Sequence, residues 1–168
     1  VAFLGKQSYL NAHKQPLAHL LAALPPRLCE GLTNDTAIAG RAVWARLQTL
    51  AESGAMMSVH RSHGDFAPWN SSWTAQGLFV FDWEASLAQD IAFEDAFYYS
   101  IAPALLVQQG AQARKTLVAT LRLARQVAIV ADIAETEVPV CLALWLLRRL
   151  SQSAFYGDLL IALERHWP

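Results

Sequence analysis

A chain of 168 residues with 54% apolar and only 16% charged residues has the apolar mass for one domain with a sizeable core. That composition excludes a disordered segment and a solvated coiled coil. The formal charge of −1, from 13 Lys plus Arg against 14 Asp plus Glu, lacks the basic footprint of a general nucleic-acid binder.

In chain order, Leu17, Leu20, Leu21 and Leu24 fall at helical spacing, and Pro25-Pro26 stops the pattern. Thr33-Asn34-Asp35 offers N-caps for a second helix over 36–53, with Val43, Trp44, Leu47, Leu50 and Ala51 as its apolar stripe and Gly54 as its C′ residue. Residues 55–59 read as a brief strand leading into a loop over 60–70, where Gly64 and Pro68 disfavour regular structure. Residues 71–73 and 78–81 pair as a hairpin turned by Thr74-Ala75-Gln76-Gly77. After Glu84 the chain is expected to turn helical at once, with Asp90 as N-cap and Ala92, Phe93, Ala96, Phe97 and Ser100 on one face before Pro103. A long helix fits 111–131. Thr136 caps another, with Pro139 in its first turn and Arg148-Arg149 complementing the dipole at its far end. Gly157 is expected to break that helix before a last amphipathic piece over 158–165. The architecture is mainly α, with one small hairpin.

Cys29 and Cys141 belong to no C-x-x-C pair, which argues against a zinc ribbon or a disulfide framework and fits a reducing cytoplasm. The longest nearly uncharged apolar run, residues 138–147, falls short of the ~20 residues a bilayer span takes. No basic-then-apolar signal opens the chain. The expected location is cytoplasmic, with neither nucleic acid nor membrane as partner. The start on Val1-Ala2-Phe3-Leu4, without an initiator Met, suggests a piece of a longer protein.

The polar residues that stand out are Asp65 and Asn70, in a D-x-x-x-x-N arrangement on the loop, and Asp82 at the hairpin's exit. A carboxylate there can orient and deprotonate an acceptor hydroxyl, and an amide oxygen with a second carboxylate can hold magnesium. Asp and Asn in a Gly/Pro loop also make turns. Asp82, after four apolar residues, is expected at a buried strand's exit, where it would serve a metal, an N-cap or a buried ion pair. Glu84 could reach a second magnesium or its water, or pair with Arg61. Trp69, Trp73 and Trp83 read as the dry wall of the cluster. His60, His63 and Asp65 could instead form the metal triad of a hydrolase.

His63-Gly64-Asp65-Phe66-Ala67-Pro68-Trp69-Asn70 and Phe81-Asp82-Trp83-Glu84 resemble the two signatures of the aminoglycoside phosphotransferase/choline kinase-like family, small-molecule kinases on the protein-kinase fold. The resemblance implies that Asp65 is the catalytic base, that Asn70 and Asp82 hold Mg2+, and that His63 braces the loop. Gln89-Asp90-Ile91-Ala92-Phe93-Glu94-Asp95 is similar to the family's G-D-P-x-x-D-[LI]-A segment, with Asp90 and Asp95 as structural acids; Gln89 and Ile91 depart from it. The motif-level resemblance covers about residues 58–96. Gly64 stands where a protein kinase has the Arg that reads a phosphorylated activation loop, and residues 85–89 are too few for such a loop. The implied acceptor is therefore a hydroxyl on a small molecule (a sugar, an aminoglycoside or an amino alcohol), with ATP or another NTP as donor.

The family's β-rich N-terminal lobe is not visible here: the residues before His63 read as helices, no G-x-G-x-x-G or G-x-x-x-x-G-K-[ST] occurs, and Lys6 has no glycine loop before it. The expectation is one domain over 1–168, the helical C-terminal lobe of a kinase-like fold, whose partner would be the N-terminal lobe of the same protein. By itself it would turn over little. The alternative from another class is a non-catalytic helical module that keeps the motif as a relic.

Overall fold

The computed structural model describes residues 3–4, 12–24, 34–107 and 112–167. The expected stop at Pro25-Pro26, the cap candidate Thr33, and Lys6, Cys29 and Ala111 lie outside the described residues. The chain is mainly helical with a small antiparallel sheet. Strand β1 (His13–Pro16) leads into α1 (Leu17–Ala22), then α2 (Asn34–Glu52) and β2 (Met56–Ser62). A hairpin of β3 (Ser71–Thr74) and β4 (Gly77–Val80) follows, flanked by single 3-10 turns at Pro68–Asn70 and Trp83–Ala85. Strand β5 (Leu87–Ile91) and helices α3 (Glu94–Val107), α4 (Ala113–Ala131), α5 (Glu137–Arg149) and α6 (Ala154–His166) complete it.

Helix α5 is the centre of the core. Its residues from Glu137 to Leu147 are all buried, as expected of a helix whose apolar residues run all the way round. Trp145 meets Phe97 of α3 and Tyr156 of α6 edge-on, at 6.1 and 5.5 Å between ring centroids. At the helix's first residue, Glu137 accepts the Ser58 amide of β2 at 2.6 Å and pairs with Lys14 of β1. One buried carboxylate thus ties the central helix to the sheet that delivers the loop.

Helix α2 ends much as its sequence suggests. Gly54 takes φ +81°, and the amides of Gly54 and Ala55 bond back to the carbonyls of Ala51 and Leu50 at 3.0 and 3.1 Å. The hairpin also forms, with Ser71 opposite Val80 and Thr74 opposite Gly77. Five expectations are corrected. The segment after Glu84 is not helical at once: residues 87–91 first pair antiparallel with β2, giving a sheet in the order β1-β2-β5. Asp90 therefore lies on a strand rather than at an N-cap, and α3 begins only after Phe93, whose φ is +70°. Pro103 lies inside α3, where it removes one helical N–H. Gly157 does not break a helix. It lies in α6, where a Cβ would meet Thr36 Oγ1 of α2 at 2.8 Å, so its missing side chain permits close helix packing. Thr136 precedes α5 but makes no side-chain cap bond.

Candidate active site

Strand β2 ends at Ser62 and hands the chain to His63 at the edge of the core. There Asp95, in the first turn of α3, accepts the amide of His63 at 3.0 and 2.9 Å and that of Gly64 at 3.1 Å. Its carboxyl is raised above the ordinary range by burial, against the pull of those two amides. Asp90 meets the chain one residue earlier, at the end of β2. It accepts Ser62 Oγ at 3.2 Å and pairs with Arg148 of α5 at 2.8 Å.

Gly64 takes φ +83°, and a Cβ on it would sit 2.2 Å from the carbonyl oxygen of Ala85. The loop and the Trp83–Ala85 turn are therefore pressed together at the one residue that leaves room. His63 ties the same two segments from the other side. Its Nε2 lies 2.9 Å from the Phe81 carbonyl oxygen, and its Nδ1 accepts the Asp65 amide at 3.3 Å. A ring that accepts at Nδ1 donates at Nε2, so the proton sits on the nitrogen facing Phe81. Trp83 covers the imidazole with centroids 4.6 Å apart.

Asn70 is buried at the end of the loop, and its Nδ2 donates to Asp65 twice, to the backbone carbonyl at 2.9 Å and to Oδ2 at 2.8 Å. Both partners are acceptors, so the amide nitrogen must face Asp65 and the oxygen must face away. The Asn70 carbonyl in turn accepts the Phe81 amide at 3.1 Å. Asp65 and Asn70 are brought together, and the residue before Asp82 is bonded to both Asn70 and His63.

Asp82 departs from its expected setting. Strand β4 is only half-buried, Asp82 is exposed, and no buried charge there demands compensation. Its backbone is left-handed, at φ 67° and ψ 56°, a conformation Asp tolerates better than most residues. Glu84 is exposed as well, and Arg61 lies over the Trp83 ring at 5.9 Å. Trp69 and Trp73 do not wall the cluster: they are 47% and 81% exposed.

Residues not singled out from the sequence frame the site from below. Tyr98, half-buried on α3, is raised to about 12 by burial and by the neighbouring Asp65 carboxylate, so it stays a protonated donor beside Asp65. Arg149 lies over the rings of Tyr98 and Trp145, at 5.9 and 4.2 Å, and pairs with Glu94 at 2.6 Å. Burial raises Glu94 to about 7 against the pull of Arg149. Glu94, Asp95 and Tyr98 share one side of α3 by their spacing, the only sequence signal that could have gathered them.

Asn70 Oδ1 and the Asp82 carboxylate are oxygen donors of the type a hard cation takes, and magnesium usually takes one or two protein oxygens and fills its octahedron with water and phosphate oxygens. The triad of His60, His63 and Asp65 is differently placed. Both ring nitrogens of His63 are engaged by the backbone, and His60 Nδ1 bonds the Arg61 carbonyl. Among the described residues, no group of three or more His, Cys, Asp or Glu is arranged to hold a metal ion.

The fold defines a mainly helical protein with a small antiparallel sheet. No family model, curated protein or solved structure matches the chain. Among the described residues, no helix is long and apolar enough to cross a membrane.

Proposed function

We propose that this domain carries the acceptor-side catalytic machinery of an ATP-dependent small-molecule phosphotransferase. The supporting observation is the Asn70 clamp on Asp65, joined through His63 and Phe81 to the backbone beside Asp82. In this reading Asp65 accepts the proton of a substrate hydroxyl as that oxygen attacks the terminal phosphoryl of ATP. Asn70 Nδ2 orients the carboxylate, and Tyr98 donates toward it as well. Asn70 Oδ1 and Asp82 would hold Mg2+, which supplies charge neutralisation on the phosphates. The acceptor is an alcohol of metabolite size (a sugar, an aminoglycoside or an amino alcohol).

The test is transfer from ATP to a panel of such alcohols, followed by phosphorus NMR, in the wild type and Asp65→Asn. Loss of a general base is expected to lower turnover by roughly 10²–10⁴-fold with the fold intact. Equal turnover in Asp65→Asn overturns the assignment. The second reading, a non-catalytic binding module, is favoured by the hairpin's exposed aromatics: Trp73 is 81% and Phe79 59% exposed. A melting temperature indifferent to magnesium, in the wild type as in Asp82→Ala, would favour that reading instead.

A further inference from the structure

Helix α4 packs one side against α3 and α6, with Thr116, Leu117, Thr120, Ala124, Val127, Ala128 and Ala131 buried. The other side is solvent-exposed and has an unusual composition. It carries Arg114, Lys115, Arg122 and Arg125, four of the chain's 13 basic side chains, and the helix holds no acid. Between these cations run Val118 and Ile129, 58% and 68% exposed. At ~100° per residue the two share one stripe, about three turns and 16 Å apart, with Arg114 and Arg125 on one flank and Lys115 and Arg122 on the other.

Two further observations leave this concentration of charge without compensation inside the chain. Lys14, Arg46, Arg148 and Arg149 each pair with an acid, whereas among the described residues no ion pair reaches the four cations of α4. Arg114 and Lys115 also stand in the first turn, where the helix dipole opposes positive charge and no acid offsets it. The nearest acids in sequence, Asp132 and Glu135, follow the helix's other end.

We propose that the exposed face of α4 docks on an anionic membrane surface, with α4 lying in the plane of the interface. Val118 and Ile129 enter the headgroup–acyl boundary, and the flanking Arg and Lys stems run along them to place their charges at the lipid phosphates. Charge complementarity and the apolar stripe point to the same occupant. A nucleic acid, or a protein surface that is acidic throughout, would use the cations and leave both apolar side chains in water. This inference does not rest on the phosphotransferase reading. The sequence expectation of no membrane partner came from span length, and a helix lying on the surface needs no span.

The test is co-sedimentation of the 168-residue chain with phosphatidylcholine vesicles, with and without about one third phosphatidylserine. Binding is expected only with phosphatidylserine, and it should weaken as salt rises. Arg122→Gln/Arg125→Gln should lower the partition coefficient roughly 30-fold, and Arg41→Gln/Arg165→Gln, exposed elsewhere, should leave it unchanged. Val118→Ser/Ile129→Ser should lower it as well at equal charge. All these positions are exposed, and a thermal melt checks that each variant folds. No binding to phosphatidylserine vesicles, or equal binding by the Arg122/Arg125 variant, overturns the proposal. Binding indifferent to Val118→Ser/Ile129→Ser overturns it too, since the face would then be a charge-only site for an acidic partner.

Discussion

Two sets of acids lie close to the same loop and are treated in opposite ways by the fold. Asp90, Glu94 and Asp95 are buried, and each is met by an Arg or by backbone amides. Asp65 is half-buried with one oxygen on Asn70, while Asp82 and Glu84 are exposed. Asp95 fixes the loop's position, Asp90 and Glu94 tie the neighbouring strand and helix to α5, and the exposed set is where a ligand can be met. Acids of the first kind should therefore carry stability and those of the second should carry activity.

The largest effect is expected at the Glu94–Arg149 pair. Arg149→Met leaves Glu94 buried without its cation and should cost about 3–5 kcal/mol in urea unfolding well above pH 7, where the carboxylate is ionised. The cost should shrink toward about pH 5, where Glu94 is protonated and needs no cation. Wild-type stability should carry the same signature. Glu94 is raised from 4.5 to about 7 in the folded state, so the folded chain binds the extra proton between those values. Its stabilising contribution is present below pH 4.5 and is lost as pH rises through 7, on the order of 3 kcal/mol. Glu94→Gln should remove that slope. A slope that persists in the variant would assign it to another group.

The next effect falls on the contact between the loop and the Trp83–Ala85 turn. Gly64→Ala combines positive φ with a Cβ 2.2 Å from a backbone oxygen, and neither can relax without moving the turn. A loss of roughly 2–3 kcal/mol is expected. Gly77→Ala is the control. Its φ is also positive, at +118°, but a Cβ there meets nothing within 4 Å, so only the backbone cost of about 1–2 kcal/mol is at stake. Equal losses from the two would mean that backbone conformation alone, and not the close approach, makes Gly64 necessary.

Much of this arrangement was legible in the sequence. The apolar stripe of α2, the glycine that ends it and the hairpin around Gly77 are local signals, and each appears where it was read. Asp65, Asn70 and Asp82 were visible as oxygen donors in a loop and at a hairpin's exit. What failed to show were features set by distant partners. Strand β5 forms because the edge of β2 is open to it, and nothing local in residues 87–91 marks them as a strand. Arg148 and Arg149 look like dipole partners until Asp90 and Glu94, 58 and 55 positions away, are brought to them by the fold. The four apolar residues before Asp82 suggested burial. The hairpin instead is only half-buried: Leu78 and Val80 pack against the core, while Phe79 and Phe81 are 59% and 40% exposed.

The smallest stability effect, and the sharpest test of the contrast between the acids, belongs to Asp82. Asn tolerates the left-handed backbone as Asp does, so Asp82→Asn removes the charge and leaves the turn in place. An exposed side chain contributes little to packing, so unfolding free energy should change by no more than about 0.5 kcal/mol. Cation binding should respond strongly. Mn2+ is expected to broaden the amide signals of Asn70 and Trp83 in the wild type and to do so far less in Asp82→Asn, because one of two protein oxygens loses its charge. A substantial stability loss would move Asp82 into the structural set. Unchanged broadening would leave the cation without Asp82 as a ligand. The division between acids that hold the structure and acids that meet a ligand requires that neither occurs.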